Sequence, residues 1–294
     1  MAGELLRLRQ TLPHGSGVAG RLSLLRREIA GIAIPGITAA PHPASDDPRA
    51  RVSLGETKLD RLLGGLAAGA LHEITAAGPG DAPAAAGFAL ALAARFAASR
   101  KAPLIWIGED FAGFEQGALY GPGLALYGLD PDALALVHAA NAKDALWAIE
   151  EALKCRAPAA VIGEIFSSKL YDLTASRRLV LAAQKHGTAG LLFLGGPARA
   201  EALSSSAETR FEIRTRSSLH SASAASRISL PGPAAFDVRI AKARAGPNGF
   251  FIDRDKFYPV LWDHREVLFR DALSLPLATV AGDGSDHPPQ RRSA

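Results

Sequence analysis

From Val52 onward, apolar runs alternate with turn residues at regular intervals. Residues 59–63 have the spacing of a short helix, Gly64-Gly65 and 67–69 are turns, and Leu71-His72-Glu73-Ile74 opens a strand. The pattern predicts an Ala- and Leu-rich helix over 84–99 and an apolar strand over 103–108. A second helix follows over 144–156, where Leu146, Trp147, Ile149 and Leu153 recur at helical spacing. Another apolar strand at 158–163, a helix at 170–186 and a third apolar strand at 190–195 complete a βα rhythm. Strands apolar throughout belong to a parallel sheet covered on both faces. Beyond them the period changes to two at 210–216, 227–230, 236–241 and 249–253, which predicts antiparallel strands added at one edge, with one face toward solvent. The fold class is therefore α/β, with a mainly parallel sheet flanked by helices and an antiparallel extension.

The ends differ from this middle. Residues 4–12 and 20–30 have the pattern of short basic helices, followed by a Pro-rich connector at 34–48, and 278–294 are polar and expected to be disordered. Three parts result: a basic N-terminal helical arm and linker over 1–50, a core over 51–256, and a C-terminal segment over 257–294. In the last, 257–269 is apolar enough to be a docking element or a final helix on the sheet.

Composition narrows the class. With 48% hydrophobic residues among 294, the chain can bury a sizeable core. The apolar stretches at 88–98 and 191–194 are interrupted by Arg95 or too short to span a bilayer. The first residues carry Glu4, Arg7 and Arg9 in place of a signal-peptide apolar run, so a cytoplasmic location and no membrane partner are expected. Cys155 is the single cysteine, which excludes an intramolecular disulfide. A net charge of +4 permits a nucleic-acid partner without requiring one.

Gly78-Pro79-Gly80-Asp81-Ala82-Pro83-Ala84-Ala85-Ala86-Gly87-Phe88 lies where a strand-to-helix phosphate loop would lie, yet it contains no Gly-Lys-Ser/Thr. A phosphate loop needs converging N–H groups, a Lys and a hydroxyl. Here Asp81 adds negative charge, Pro83 deletes a donor, and Ala takes the places of cation and hydroxyl. Gly78, Gly80 and Gly87 remain as a glycine skeleton, and no bound cofactor is expected. Glu109, with Asp110, and Glu164 follow the strands ending at Gly108 and Gly163, where doubly wound sheets place catalytic or metal-holding carboxylates; simple solvent-facing caps have the same pattern. No His or Cys lies at metal-ligand spacing from another, no Gly-x-Ser-x-Gly occurs, and Trp106, Trp147 and Trp262 form no spaced platform for bases. Over 199–244, eight basic residues face four acidic ones. Arg210, Arg214, Arg216, Arg239, Lys242 and Arg244 there make either a partner or DNA surface or an ordinary solvated face.

Several of these segments together resemble a known core. The run from Leu59 to Leu66, entering Leu71-His72-Glu73-Ile74 and a Gly-Pro turn, resembles the segment that introduces the Walker A strand of RecA-type recombinases. Residues 105–110 resemble the strand that delivers the catalytic Glu, Tyr127-Gly128-Leu129-Asp130 a turn of that family, and Val161 to Glu164 its Walker B strand. Residues 210–214 and 238–244 resemble the late strands, the second of which carries basic residues that reach a neighbouring protomer's nucleotide; Lys242 and Arg244 occupy those places. A RecA-like core without Walker A, a basic arm and this length are similar to the ImuA family, accessory proteins of the bacterial damage-inducible mutagenesis cassette. The resemblance covers about residues 52–256.

It implies a pseudo-ATPase adaptor in translesion synthesis, working with an ImuB-like Y-family polymerase homologue and an error-prone replicative-type polymerase. RecA and DNA are further candidate partners; Lys242 and Arg244 would serve a neighbour's nucleotide at a RecA filament end. Both DNA-binding loops of recombinases are abbreviated here, after Glu164 and at Gly195-Gly196-Pro197, so strand exchange is not expected. The arm, with Leu5, Leu6, Leu8 and Leu12, either packs on a partner or returns to its own core. Two alternatives stand beside the adaptor: an ATPase with an aberrant loop, and a SulA-type cell-division inhibitor.

Overall fold

The computed structural model describes residues 50–110, 113, 117–166, 168–195, 204–218, 232–244 and 252–272. The helices expected at 4–12 and 20–30, the connector at 34–48, the strand at 227–230, most of that at 249–253 and the tail from 278 lie outside the described residues.

A short ladder of β1 (Arg51–Val52) and β2 (Leu66–Ala67) brackets α1 (Thr57–Leu63). Arg51 donates to the carbonyls of Leu63, Gly64 and Gly65, satisfying groups left over at the end of α1. The chain then enters β3 (Leu71–Ala76), crosses under the sheet as α2 (Ala82–Arg100), and returns as β4 (Leu104–Glu109). After the short α3 (Gly121–Ala125) come β5 (Leu134–Ala139), α4 (Ala142–Leu153), β6 (Ala160–Ile165), α5 (Leu173–His186), β7 (Ala189–Leu194), β8 (Thr209–Thr215), β9 (Ala235–Ala243), β10 (Phe257–Asp263) and β11 (Leu268–Asp271). One nine-stranded sheet holds β3 to β11 in the order β11-β10-β9-β8-β3-β7-β6-β4-β5. Pairing is parallel from β8 through β3 to β5 and antiparallel from β8 out to β11.

The α/β class, the large mostly parallel sheet and the antiparallel strands agree with the sequence pattern, with three corrections. β8 is not the first antiparallel edge strand: it pairs parallel with β3 and is buried along Thr209 to Ile213, despite its period-two sequence. β5, an outer strand of half-buried residues too weakly patterned to stand out, extends the parallel side. Residues 257–269 are not a final helix, because β10 and the first two residues of β11 lie within them and continue the sheet. Pro259 disguises that strand in the sequence, although Tyr258, Val260 and Trp262 alternate inward around it.

Helices α4 and α5 begin where caps allow. Asn141 accepts from Asp144 N at the start of α4, Asp172 accepts from Ala175 N at the start of α5, and Gly187 at φ 70° ends α5. These caps move the two boundaries to Ala142 and Leu173, a few residues from those the apolar spacing predicts. On the other face of the sheet α2 is apolar all round, and by length and composition it matches a membrane span. Its burial within the core accounts for that composition. Phe88 of α2 meets the rings of Phe211, Phe236 and Phe269 at 5.5, 5.7 and 5.1 Å, so one helix side chain joins β8, β9 and β11. Each such ring buried contributes about 1.5–3 kcal/mol. Arg95, which breaks the apolar run, donates to Ser53 O and Val267 O and ties α2 to the β10–β11 turn.

Trp262 packs on Phe269 at 4.9 Å, and its indole nitrogen makes no hydrogen bond, so its contribution is packing alone. Trp262→Ala is expected to cost about 3–5 kcal/mol in urea unfolding. Trp262→Phe should cost clearly less; equal stability of all three proteins would show that the C-terminal strands are not part of the cooperative core.

Candidate functional site

The carboxyl ends of β3, β8, β4 and β6 form one rim of the sheet. The connection from β3 to α2 is short: Ala77 and Gly78 precede a single 3-10 turn, Pro79–Asp81, which runs straight into α2. Asp81 folds back over this turn. Its Oδ1 accepts from Thr215 N at 2.8 Å, at the end of β8, and its own N donates to Gly78 O at 3.0 Å. A Cβ built on Gly78 would lie 3.3 Å from the other Asp81 oxygen. A carboxylate of the chain itself thus takes up a backbone donor on the rim where a phosphate would be cradled.

The other loop residues have separate causes. Pro83 stands in the first turn of α2, where its missing N–H is one of the helix's unpaired donors anyway. Gly80 faces open space, so its lack of a side chain meets no steric demand there. Gly87 is not a loop residue but lies inside α2: a Cβ there would sit 2.3 Å from the Tyr127 hydroxyl, so the glycine makes room for that ring. Ala85 is buried, which leaves no space at its position for a hydroxyl reaching solvent.

Glu109 and Glu164 lie at the ends of the paired strands β4 and β6, but the register sets Glu164 beside Gly108, so alternation directs the two carboxylates to opposite faces of the sheet. Glu109 is buried and accepts from Phe166 N at 2.8 Å, while Glu164 accepts from Trp106 Nε1 at 3.2 Å. Burial pushes the Glu164 carboxyl up from its ordinary value, the Trp106 bond opposes this, and the Glu109 charge adds to it. Asp110 is exposed, 3.9 Å from His138. Among the described residues no group of three or more His, Cys, Asp or Glu is arranged to hold a metal ion.

The residues expected on a basic face are scattered by the fold. Arg210 is a correction: it is 5% exposed and its Nε donates to Glu73 Oε2 at 2.6 Å, because β8 is an interior strand. Glu73, fully buried on β3, also accepts from the Tyr171 hydroxyl. Burial and the Glu73 charge push that phenol well above its ordinary value, so it remains the proton donor. Arg210 further donates to Ser205 Oγ at 3.0 Å, and Lys242 donates to Ser205 O at 2.7 Å. Burial pulls the half-buried Lys242 ammonium down, the Glu73 charge opposes this, and Arg210 and Arg244 pull it further down. Arg216 pairs with Asp237 at 2.8 Å, and Arg239 with Glu212 at 2.5 Å, so neighbouring strands neutralise these charges. Arg214 lies over the Phe257 ring at 4.0 Å, and Arg244 is exposed.

Sequence reasoning missed the Glu73, Tyr171 and Ser205 cluster. A charged residue in an otherwise apolar strand was its one signal, since Leu71-His72-Glu73-Ile74 places an acid where only a buried partner could balance it. His72 beside it is also buried: Nε2–H donates to the Ala67 carbonyl at 2.9 Å, which leaves Nδ1 to accept from Thr209 Oγ1 at 2.8 Å in the neutral ring. Burial lowers its pKa below the ordinary value, consistent with that neutral form.

Arg210→Ala should cost about 3–5 kcal/mol, because Glu73 would be left charged and buried. Glu73→Leu with Arg210→Met should recover most of it, as read from urea midpoints. Glu164 gives a pH test. Its folded pKa is raised, so the ionised form weakens the fold as pH climbs from the ordinary Glu range through the folded value. Glu164→Gln is therefore expected to be more stable than the unaltered chain at pH 7, with the difference closing below the ordinary Glu pKa. A difference independent of pH would refute this.

No protein-family model matches the chain. The chain is similar to "Protein ImuA" of Caulobacter vibrioides, in strain NA1000 / CB15N and in strain ATCC 19089 / CIP 103742 / CB 15. The identity is 33% over 147 residues, 48% of this chain and 56% of each relative. The chain thus spans about half the length of the curated relatives it matches, and the likeness supports the resemblance to the ImuA family.

Proposed function

We propose that this chain is an ImuA-type accessory protein of damage-induced mutagenesis, a RecA-like core that has become a non-catalytic adaptor. In this reading it docks an ImuB-like Y-family polymerase homologue and an error-prone replicative-type polymerase during translesion synthesis, in the cytoplasm. The observation that carries it is the β3–α2 turn, where Asp81 spends itself on Thr215 N and Pro83, Ala84 and Ala85 follow in place of Lys and hydroxyl. A triphosphate carries several negative charges, and a rim bearing Asp81, Glu109, Asp110 and Glu164 repels it unless a Lys and Mg²⁺ compensate. Support for the RecA-like core comes from β3 leading directly into the buried α2 at the centre of a mainly parallel sheet, together with the ImuA likeness.

Glu109 and Glu164, at the carboxyl ends of the neighbouring strands β4 and β6, favour the rival ATPase reading, and nucleotide binding separates the two. Titration of the full chain with a fluorescent ATP analogue and Mg²⁺ is expected to give no saturable signal up to roughly 1 mM. Asp81→Ala, Glu109→Gln and Glu164→Gln should all still co-purify with the ImuB-like protein of the same genome. Saturable micromolar binding that Glu109→Gln or Glu164→Gln abolishes would replace the adaptor with an ATPase.

A further inference from the structure

Helix α5 buries one face and leaves another without cover. Ser176, Leu179, Ala182 and Ala183 point into the core, while Leu173 and Leu181 are 48% and 59% exposed, and Leu170, just before the helix, is 53% exposed. Positions 173, 177 and 181 fall in one row, since residues four apart are neighbours on a helix surface. Arg177, exposed, occupies the position between the two leucines in that row. Of the large hydrophobic side chains exposed among the described residues, Tyr120, Leu126, Leu170, Leu173 and Leu181, two lie on this helix and a third just before it. Isolated exposed leucines are ordinary, but an aligned row rimmed by charge is the pattern of a docking surface.

The charge on this face is of one sign. Lys169, Arg177 and Lys185 are exposed and form no ion pair among the described residues. The acids beside the helix are already engaged, because Asp172 caps α5 through Ala175 N and Glu150 pairs with Arg178. Neither the segment over 1–30 nor that over 273–294 is acidic. The arm over 1–30 carries Arg7, Arg9, Arg21, Arg26 and Arg27 against Glu4 and Glu28, and would be repelled. The 273–294 segment balances Asp283 and Asp286 with Arg291 and Arg292.

We infer that the α5 stripe of Leu170, Leu173, Arg177, Leu181 and Lys185 docks an acidic amphipathic helix of a partner protein. Leucines would enter the partner's apolar row, and the cations would meet carboxylates flanking it. A nucleic acid is the weaker match, since phosphates do not call for an apolar row between the cations. The inference rests on the adaptor reading for the existence of a protein partner, and adds where and by what chemistry that partner binds.

The test uses the full chain and the ImuB-like protein as probe, with two variants: Leu173→Ser with Leu181→Ser, and Arg177→Glu with Lys185→Glu. All four residues are exposed, so circular dichroism and melting should match the unaltered chain. Each variant is expected to weaken the complex on the order of tenfold, with the charge-reversal loss larger at low salt. If the unaltered chain binds and both variants bind equally well, the α5 inference fails while the adaptor reading stands. If the unaltered chain does not bind at all, both fail. Loss confined to the charge-reversal variant, together with loss of binding to a single-stranded DNA oligonucleotide, would reassign the face to nucleic acid. A change in the sedimentation of the chain alone on serine substitution would reassign it to a second copy.

Discussion

A carboxylate with no solvent exposure, Glu73, sits at the centre of the sheet, and much of the architecture around it exists to balance its charge. An isolated ion in such a place would cost several kcal/mol, more than a single hydrogen bond returns. The structure supplies Arg210 from β8, the Tyr171 hydroxyl from the segment before α5, and, one strand further out, Lys242 from β9. Because Glu73 and Arg210 are register partners, the pair specifies how β3 and β8 align, and Ser205 extends the same network to the segment preceding β8. Ser176 of α5 accepts from Ser206 N, which fixes that segment against the helix. A polar cluster of this kind serves alignment of elements more than raw stability.

The same alignment shapes the rim. With β8 held beside β3, Thr215 N lies within reach of Asp81, and the short turn after β3 closes on its own side chain. A backbone donor that could have faced a ligand is thereby satisfied internally. At the neighbouring strand ends, Glu109 is likewise satisfied by the backbone of Phe166, while Glu164 is drawn toward its neutral form by burial. The rim stands where a doubly wound sheet places its ligand crevice, while Asp81, Glu109 and Glu164 each accept from donors of the chain itself.

Much of the parallel half of the sheet was legible in the chain. Strands at 103–108, 158–163 and 190–195 lie within a residue or two of β4, β6 and β7, because a strand buried on both faces must be apolar throughout. The helix near α2 was legible from its Ala and Leu content and that near α4 from apolar spacing, and caps settle the starts of α4 and α5. The basic surface was not. Arg210 and Arg214 stand two full periods of alternation apart on the same strand, and nothing local says that the first meets a buried acid while the second lies over an aromatic ring.

By itself the sequence determined that this is an α/β protein whose strand-to-helix turn lacks the lysine and hydroxyl of a phosphate loop, since periodicity and the absence of a residue type need no partner to be read. Only the tertiary structure decided that β8 runs parallel to β3, that Pro259 sits within a sheet strand, that Gly87 makes room for Tyr127, and that Arg210 belongs to the core. Each of these depends on which distant segment arrives alongside. That choice is made by the summed burial and charge balance of the whole sheet, which no short window of sequence contains.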